Sequence, residues 1–67
     1  MGITTIKPES GTIWYIIYNE DLSVLISGSV GVGNTLSTGQ PNVEQFDNEN
    51  MMEARLLILE AEKLLGN

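Results

Sequence analysis

The last third of the chain, from Phe46 to Asn67, has the pattern of one amphipathic helix with apolar residues on two separate faces. Asp47 is a favourable N-cap for this helix, and Gly66 is placed to end it. Acidic side chains crowd its first turns and Lys63 lies in its last, as the helix dipole favours. The sequence therefore predicts a helix over residues 47–65.

Two apolar stripes appear along this helix when successive residues are turned by about 100°. The broader stripe consists of Met51, Ala54, Leu57, Ile58, Ala61, Leu64 and Leu65. The narrower stripe consists of Met52, Leu56 and Leu59. We expect the broader stripe, whose alanines allow close approach, to cover a β-sheet, and the narrower one to contact a second copy or another protein. The alternative is one wide face that buries both stripes within a single subunit.

The size of the chain favours association. A chain of 67 residues forms one small domain, and domains of this size need stabilisation beyond a lone hydrophobic core. The sequence has no cysteine for a disulfide, and without cysteine and histidine it lacks the usual ligands of zinc and other transition metals. Oligomerisation is the remaining device. We expect a homo-oligomer or a complex with another protein, with no cofactor and no metal site.

The charge of the chain limits its partners. Nine acidic against three basic side chains give a net charge of −6. Nucleic acids and anionic membrane surfaces are bound by clustered basic residues, whereas Lys7, Arg55 and Lys63 are few and scattered. The most apolar segment, Ile13 to Ile17, is far shorter than the roughly 20 residues of a membrane span. No signal-peptide pattern is visible, so we expect the protein in the cytoplasm of the producing cell, or assembled from there into something larger.

The clearest strand is Thr12–Tyr18, which is rich in β-branched and aromatic residues. Its alternate residues are apolar on both faces, so we expect it to be central in a sheet and covered on both sides. One face carries Ile13, Tyr15 and Ile17, and the other carries Trp14, Ile16 and Tyr18. A turn at Asn19–Asp21 leads to a second strand over Leu22–Ser27, and Val43–Phe46 is a plausible third strand.

These elements predict an α+β fold: a β-hairpin extended by a third short strand, with the C-terminal helix packed across one face. The whole chain, residues 1–67, is one domain. Residues 1–11 are an extended leader that forms an edge strand, an arm to a neighbour or a disordered end. Residues 12–46 form the β region, with a brief strand possible at Thr35–Ser37.

A glycine-rich segment follows the second strand. Gly28, Gly31 and Gly33 give the spacing G-x-x-G-x-G, followed by Asn34, and this spacing is superficially that of a phosphate-binding loop. Such loops are followed at once by a helix and usually carry a lysine, and this segment has neither. We expect a flexible bend or a β-bulge. A ligand loop formed by these four residues is the alternative.

No residue pattern indicates catalysis. The serines and threonines lack a histidine that could activate them, and the acidic pair Glu20–Asp21 belongs to a turn. The acidic run at Asp47–Glu53 lacks the central glycine of an EF-hand calcium loop, and a helix start accounts for it. We expect a non-enzymatic protein without catalytic residues.

Aromatic side chains are candidates for an association surface because they dominate interface hot spots. Trp14, Tyr15 and Tyr18 are the candidates here, with the core as the alternative for at least one face of their strand. Tyr18, next to the turn, is the better candidate for exposure. The predicted association surface therefore consists of Trp14, Tyr18, Met52, Leu56 and Leu59.

The order of these features resembles short proteins encoded among phage and prophage tail genes. Those proteins often have a Trp/Tyr strand, a strand of small residues, a segment like Thr38–Phe46, and an acidic helix with a sequence like Glu53-Ala54-Arg55-Leu56. The resemblance covers roughly Thr12 to Leu59. It implies a virion-associated or tail-fibre-associated component, or an assembly helper, without enzymatic activity, and it assigns no site residues.

Two function hypotheses follow. The first is a non-enzymatic phage-type structural or assembly protein that acts through protein–protein association as a homo-oligomer. The alternative is a small acidic anti-defence inhibitor that blocks a host effector or sequesters a nucleotide signal; a host adaptor domain is a third possibility. A nucleotide-binding oligomer should have a pocket lined by Gly28–Asn34 with a basic residue beside it, and an effector blocker should present its acids as a continuous exposed patch.

Overall fold

A computed structural model describes residues 2–66 of the chain. Its elements, in chain order, are β1 (Thr4–Ile6), β2 (Thr12–Tyr18), β3 (Val24–Gly31), β4 (Leu36–Thr38), β5 (Asn42–Phe46) and α1 (Glu49–Leu65). Strands β3, β2 and β5 form an antiparallel sheet with β2 in the centre, and β1 pairs antiparallel with β4 in a separate two-stranded sheet. The predicted α+β fold, with a three-stranded sheet and a C-terminal helix, is confirmed.

Both faces of β2 are covered, as its residue pattern predicted. On one face Ile17 packs with Ile6 of β1, beneath the two-stranded sheet. On the other face Ile16, which is fully buried, packs against α1. The molecule thus has three layers: the β1–β4 pair, the three-stranded sheet and the helix. We call the second cluster the helix-side core; its buried members are Ile16, Met52 and Leu59.

The N-terminal segment forms one of these layers. Ile6 is only 1% exposed and lies opposite Leu36 in the pairing of β1 with β4. The hydroxyls of Thr5 and Ser37 lie 3.1 Å apart across the same pair. The segment expected as an extended leader therefore supplies a short strand that closes the core on the side away from the helix.

Strand β3 is longer than predicted and differently placed. It includes Gly28 and Gly31, which lie opposite Tyr15 and Thr12 of β2. The Tyr15 ring lies over Gly28: a methyl group added there would come within 3.3 Å of the phenol oxygen. The expected glycine bend over this stretch is therefore wrong, because pairing with β2 and cover from an aromatic neighbour compensate for the missing side chains.

The turn before β3 is tight and includes a residue with positive φ. The amide of Leu22 donates to the carbonyl of Asn19 at 2.9 Å, and the amide of Asn19 donates to the carbonyl of Ser23 at 2.9 Å. Leu22 has φ 73°, which is uncommon for a residue with a side chain. Its side chain packs against the helix-side core, which compensates for the strain. Strand β3 consequently begins at Val24, two residues later than predicted.

Helix α1 also begins two residues later than predicted. Its N-cap is Asn48, whose backbone is extended and whose side-chain oxygen accepts a hydrogen bond from the Met51 amide at 2.9 Å. Asp47 precedes this cap, so the prediction of Asp47 as the N-cap is wrong. At the other end the Gly66 amide donates to the carbonyl of Glu62 at 2.7 Å, which closes the last turn.

Candidate functional site

The rotation of α1 about its axis is the reverse of the one predicted. The narrower stripe faces the sheet: Leu59 is fully buried, Met52 is 6% exposed, and Leu56 packs against both from the edge of the helix-side core. These residues belong to the core and do not form a free surface. The sheet offers this stripe a matching patch, made by Ile16 in its centre and Phe46 beside it.

Two of the aromatic candidates surround the same core. Trp14 and Tyr18 are partly buried and pack against the cluster that contains Ile16. The hydroxyl of Tyr18 donates a hydrogen bond to Glu44 Oε2 at 2.6 Å. The structure therefore brings all five predicted surface residues together, but at the contact between helix and sheet within one subunit.

A polar cluster beside this core links the helix to the sheet. Arg55 of α1 donates from Nε to Glu44 Oε1 at 2.9 Å and from Nη2 to Glu44 Oε2 at 3.0 Å. The bonds from Arg55 are the main cause that holds the pKa of Glu44 below its usual value, and the bond from Tyr18 lowers this pKa further. The hydrogen bond to Glu44 in turn raises the pKa of Tyr18. Since both carboxylate oxygens accept hydrogen bonds, the cluster joins three elements: β2 through Tyr18, β5 through Glu44 and α1 through Arg55.

The glycine segment is a strand followed by a tight turn. Gly28 and Gly31 lie in β3, where their backbone is part of the sheet. Gly33, with φ 92°, and Asn34 complete a tight turn in which the Asn34 amide donates to the carbonyl of Gly31 at 3.1 Å. The prediction of a bend holds only for the segment after Gly31.

A small open cavity lies elsewhere, between the turn before β3 and the middle of α1. Its volume is about 190 Å³, which is below the roughly 300–1,000 Å³ of most ligand pockets. It is lined by Leu22, Ser23, Val24, Leu56, Glu60 and Lys63. This lining contains one basic residue, Lys63, and none of the residues of the glycine segment.

Metal-binding clusters and membrane-spanning helices are both absent from the part of the chain that the structure describes. Among residues 2–66, no group of three or more carboxylates is arranged to hold a metal ion. Within the same range, no helix has the length and apolar character needed to cross a membrane.

The broader helix stripe points to solvent. We call it the outer face; its members are Met51, Ala54, Leu57, Ile58, Ala61, Leu64 and Leu65. Its large side chains are extensively exposed: Met51 52%, Leu57 69%, Ile58 48%, Leu64 79% and Leu65 86%. The exposed apolar surface amounts to on the order of 600 Å², at the upper end of what a monomeric protein leaves uncovered. This face is the candidate functional site.

The outer face has the spacing of a helix–helix seam. Met51, Ala54, Ile58, Ala61 and Leu65 follow one another at alternating steps of three and four, which is the repeat of residues that pack between two helices. Acidic residues border it on one side, at Glu53 and Glu60, and Glu62 borders it on the other. The repeat is visible in the sequence and could have identified this stripe as the intermolecular one.

Comparison with known proteins gives no relative: no protein family, no curated protein and no solved structure matches this chain. Its function is therefore inferred from the surfaces of the molecule itself.

Proposed function

We propose that the protein is a non-enzymatic structural or assembly component that acts by protein–protein association, as a homo-oligomer built through the outer face of α1. The observation that carries this proposal is the exposure of an unbroken apolar helix face in a chain with a net charge of −6. The exposed area approaches the roughly 800 Å² that each partner buries in a stable interface. Covering this face on association is favourable because apolar surface leaves water.

A second copy of the chain fits this face by size. Along the seam, large residues alternate with Ala54 and Ala61. When two such helices pack antiparallel, Ile58 of one copy lies opposite Ala61 of the other, and Leu65 lies opposite Ala54. Large side chains then meet small ones at each level, which is how tightly packed helix pairs fill space.

The charges also favour antiparallel packing. In this orientation Arg55 of one copy lies near Glu62 of the other, and the two helix dipoles oppose each other. A parallel pair would instead align the two helix dipoles, which is less favourable. The acidic borders of the face then stay at the rim of the interface, where water solvates them.

The biological setting we propose is that of a phage-type, virion-associated tail component or assembly helper. The support is the resemblance of Thr12–Leu59 to short phage tail-region proteins, together with the small size and acidity of the chain. The protein would be made in the cytoplasm of the producing cell and could be incorporated into the virion through contacts of its assembled form.

The alternative of an anti-defence inhibitor has narrower support. Its nucleotide-sequestering form has less support, because Gly28 and Gly31 are strand residues. Its effector-blocking form is supported by a row of exposed acids on α1, formed by Glu49, Glu53 and Glu60. A monomer in solution would make this the leading hypothesis, since the row would then be free to meet a basic partner.

The experiment is the solution mass, by light scattering, of the wild type and of the variant Leu57→Glu/Leu64→Glu. We expect an oligomer for the wild type and a smaller, still folded species for the variant, because both substituted side chains are exposed and would place charges on the outer face beside the seam. The matched control is Gln40→Glu/Gln45→Glu, which adds the same charge at exposed positions outside the outer face. A monomeric wild type, or a variant mass equal to that of the wild type, contradicts the proposal.

A further inference from the structure

Strand β3 is an edge strand without the usual protection. It pairs with β2 on one side, and no other strand pairs with it among the described residues. Its sequence, VLISGSVG, has no charged residue and no proline. Val24, Leu25 and Ile26 are 42%, 50% and 50% exposed. Proteins normally protect a long edge with lysine, proline, short length or a covering segment, because its free amides and carbonyls can pair with another chain.

The other edge of the same sheet is protected. Strand β5 has five residues and follows Pro41. Its Glu44 is held by Arg55 and Tyr18, so a charge and a helix side chain lie along this edge. A β-bulge, marked by the register shift between Ile17 and Tyr18, interrupts β3 only near its start and leaves Ile26–Gly31 regular. The contrast identifies β3 as the edge that is open to pairing.

The pairing of β3 with β2 assigns its side chains to the two faces of the sheet. Residues directly opposite each other in an antiparallel pair lie on the same face. Ile26, Gly28 and Val30 lie opposite Ile17, Tyr15 and Ile13, on the face covered by β1 and β4. Ser27 and Ser29 lie opposite Ile16 and Trp14, on the helix face, and both serines are exposed.

We propose that two copies of the chain pair through β3, antiparallel, about a twofold axis at Gly28, and so form a continuous six-stranded sheet. In this register Ile26 of one copy lies opposite Val30 of the other, and Ser27 lies opposite Ser29. Apolar residues meet apolar residues on one face and hydroxyls meet hydroxyls on the other, which are favourable cross-strand pairs. The strand is thus complementary to itself, and this is the reason for assigning a second copy as its partner.

The position of α1 leaves room for this contact. The helix packs mainly on β2 and β5 and comes near β3 only at Val24, at the start of the strand, while Ser27 and Ser29 remain exposed. Since β3 carries no charge, pairing two copies there brings no acids face to face, despite the net charge of the chain. The contact is separate from the outer face of α1. A chain with two distinct twofold interfaces assembles beyond a dimer.

The test combines substitutions at the two surfaces and measures solution mass by light scattering. Ser27→Lys/Ser29→Lys places lysines opposite lysines in the proposed register. Ser27→Lys/Ser29→Glu places each lysine opposite a glutamate of the other copy and is the matched control. Both variants are made in the wild type and in Leu57→Glu/Leu64→Glu, where the outer face is disabled, with circular dichroism to check folding.

We expect a species larger than a dimer for the wild type and a dimer for Leu57→Glu/Leu64→Glu. Adding Ser27→Lys/Ser29→Lys to that variant should give a monomer, and adding Ser27→Lys/Ser29→Glu instead should keep the dimer. A folded monomer for Leu57→Glu/Leu64→Glu alone overturns the β3 contact. A dimer that persists after Ser27→Lys/Ser29→Lys is added also overturns it. Loss of the dimer after Ser27→Lys/Ser29→Glu is added does so as well.

These outcomes separate the two proposals. If the outer face has no role, Leu57→Glu/Leu64→Glu has the wild-type mass while the paired lysines in β3 still dissociate the assembly. If β3 has no role, Ser27→Lys/Ser29→Lys has the wild-type mass and Leu57→Glu/Leu64→Glu is a monomer.

Hydrogen exchange gives a second readout. Amides of Ile26–Val30 should exchange more slowly in the β3-paired dimer than in the monomeric combination of the two variants.

Discussion

Arg55 of the helix and Glu44 of β5 form a two-point ion pair, with Nε 2.9 Å from Oε1 and Nη2 3.0 Å from Oε2. The same carboxylate accepts the Tyr18 hydroxyl at 2.6 Å. The pair joins the helix to an edge strand and fits the rotation of α1 that buries Met52 and Leu59 and leaves the outer face exposed.

Glu44→Gln should lower the free energy of unfolding at neutral pH by about 1 kcal/mol. This loss lies between the contribution of an exposed ion pair and that of a buried hydrogen bond to a charged group. The pKa of Glu44 is lowered on folding from its ordinary 4.5, chiefly by Arg55. Its contribution is therefore present above pH 4.5 and lost as the pH falls through the folded-state pKa.

Urea unfolding measured from neutral pH to about pH 3 checks this pH dependence. The measurement uses the Leu57→Glu/Leu64→Glu variant, because its unfolding is not coupled to association through the outer face. The difference in unfolding free energy between chains with and without the Glu44→Gln substitution should shrink as the pH falls. The matched control is Glu53→Gln, which removes an exposed carboxylate of α1 and should leave stability within about 0.5 kcal/mol. A Glu44→Gln effect that does not depend on pH would contradict the ion-pair assignment.

Leu59→Ala should destabilise the fold by about 2–5 kcal/mol, because this side chain is fully buried against Ile16 and its loss leaves a cavity. Its neighbour Ile58 is 48% exposed on the outer face. Ile58→Ala should therefore lower the free energy of unfolding by less than about 1 kcal/mol when no partner covers this face. Urea unfolding followed by Trp14 fluorescence measures both. The reverse order would mean that the helix has the opposite rotation.

Asn48→Ala should cost about 1 kcal/mol of stability, since the Met51 amide loses its side-chain partner at the helix start. Asp47→Ala removes a carboxylate that lies one residue before the cap and should cost clearly less. Thermal unfolding by circular dichroism compares the two variants. Equal losses, or a larger one for Asp47→Ala, would restore Asp47 as the cap.

Gly33→Ala should destabilise the protein by about 1 kcal/mol because Gly33 has φ 92°, where a side chain is strained even though nothing lies within 4 Å. Gly31→Ala has the same free space in a strand conformation and should be close to neutral. Thermal unfolding of the two variants tests whether this segment is an ordinary turn at the end of β3.

The sequence was most informative where one element carried its own evidence. Strand β2 is apolar on both faces over consecutive residues, and this predicted its central, doubly covered position. The helix was predicted from its periodicity, but its start shifted because both Asp47 and Asn48 are good caps and local pattern does not choose between them. The glycines at 28 and 31 gave a misleading turn signal, since the Tyr15 ring that covers one of them belongs to another strand.

By itself the sequence determined the α+β class, the central strand, the C-terminal helix and the presence of two apolar helix stripes, because these depend on residue order within a few positions. The tertiary structure decided which stripe is buried, that β1 closes the core on the side of the sheet away from the helix, and that β3 presents an open edge. Each of these depends on contacts between residues far apart in the chain, such as Arg55 with Glu44 or Ile6 with Ile17. Periodicity shows that a face is apolar, but only packing shows what covers it.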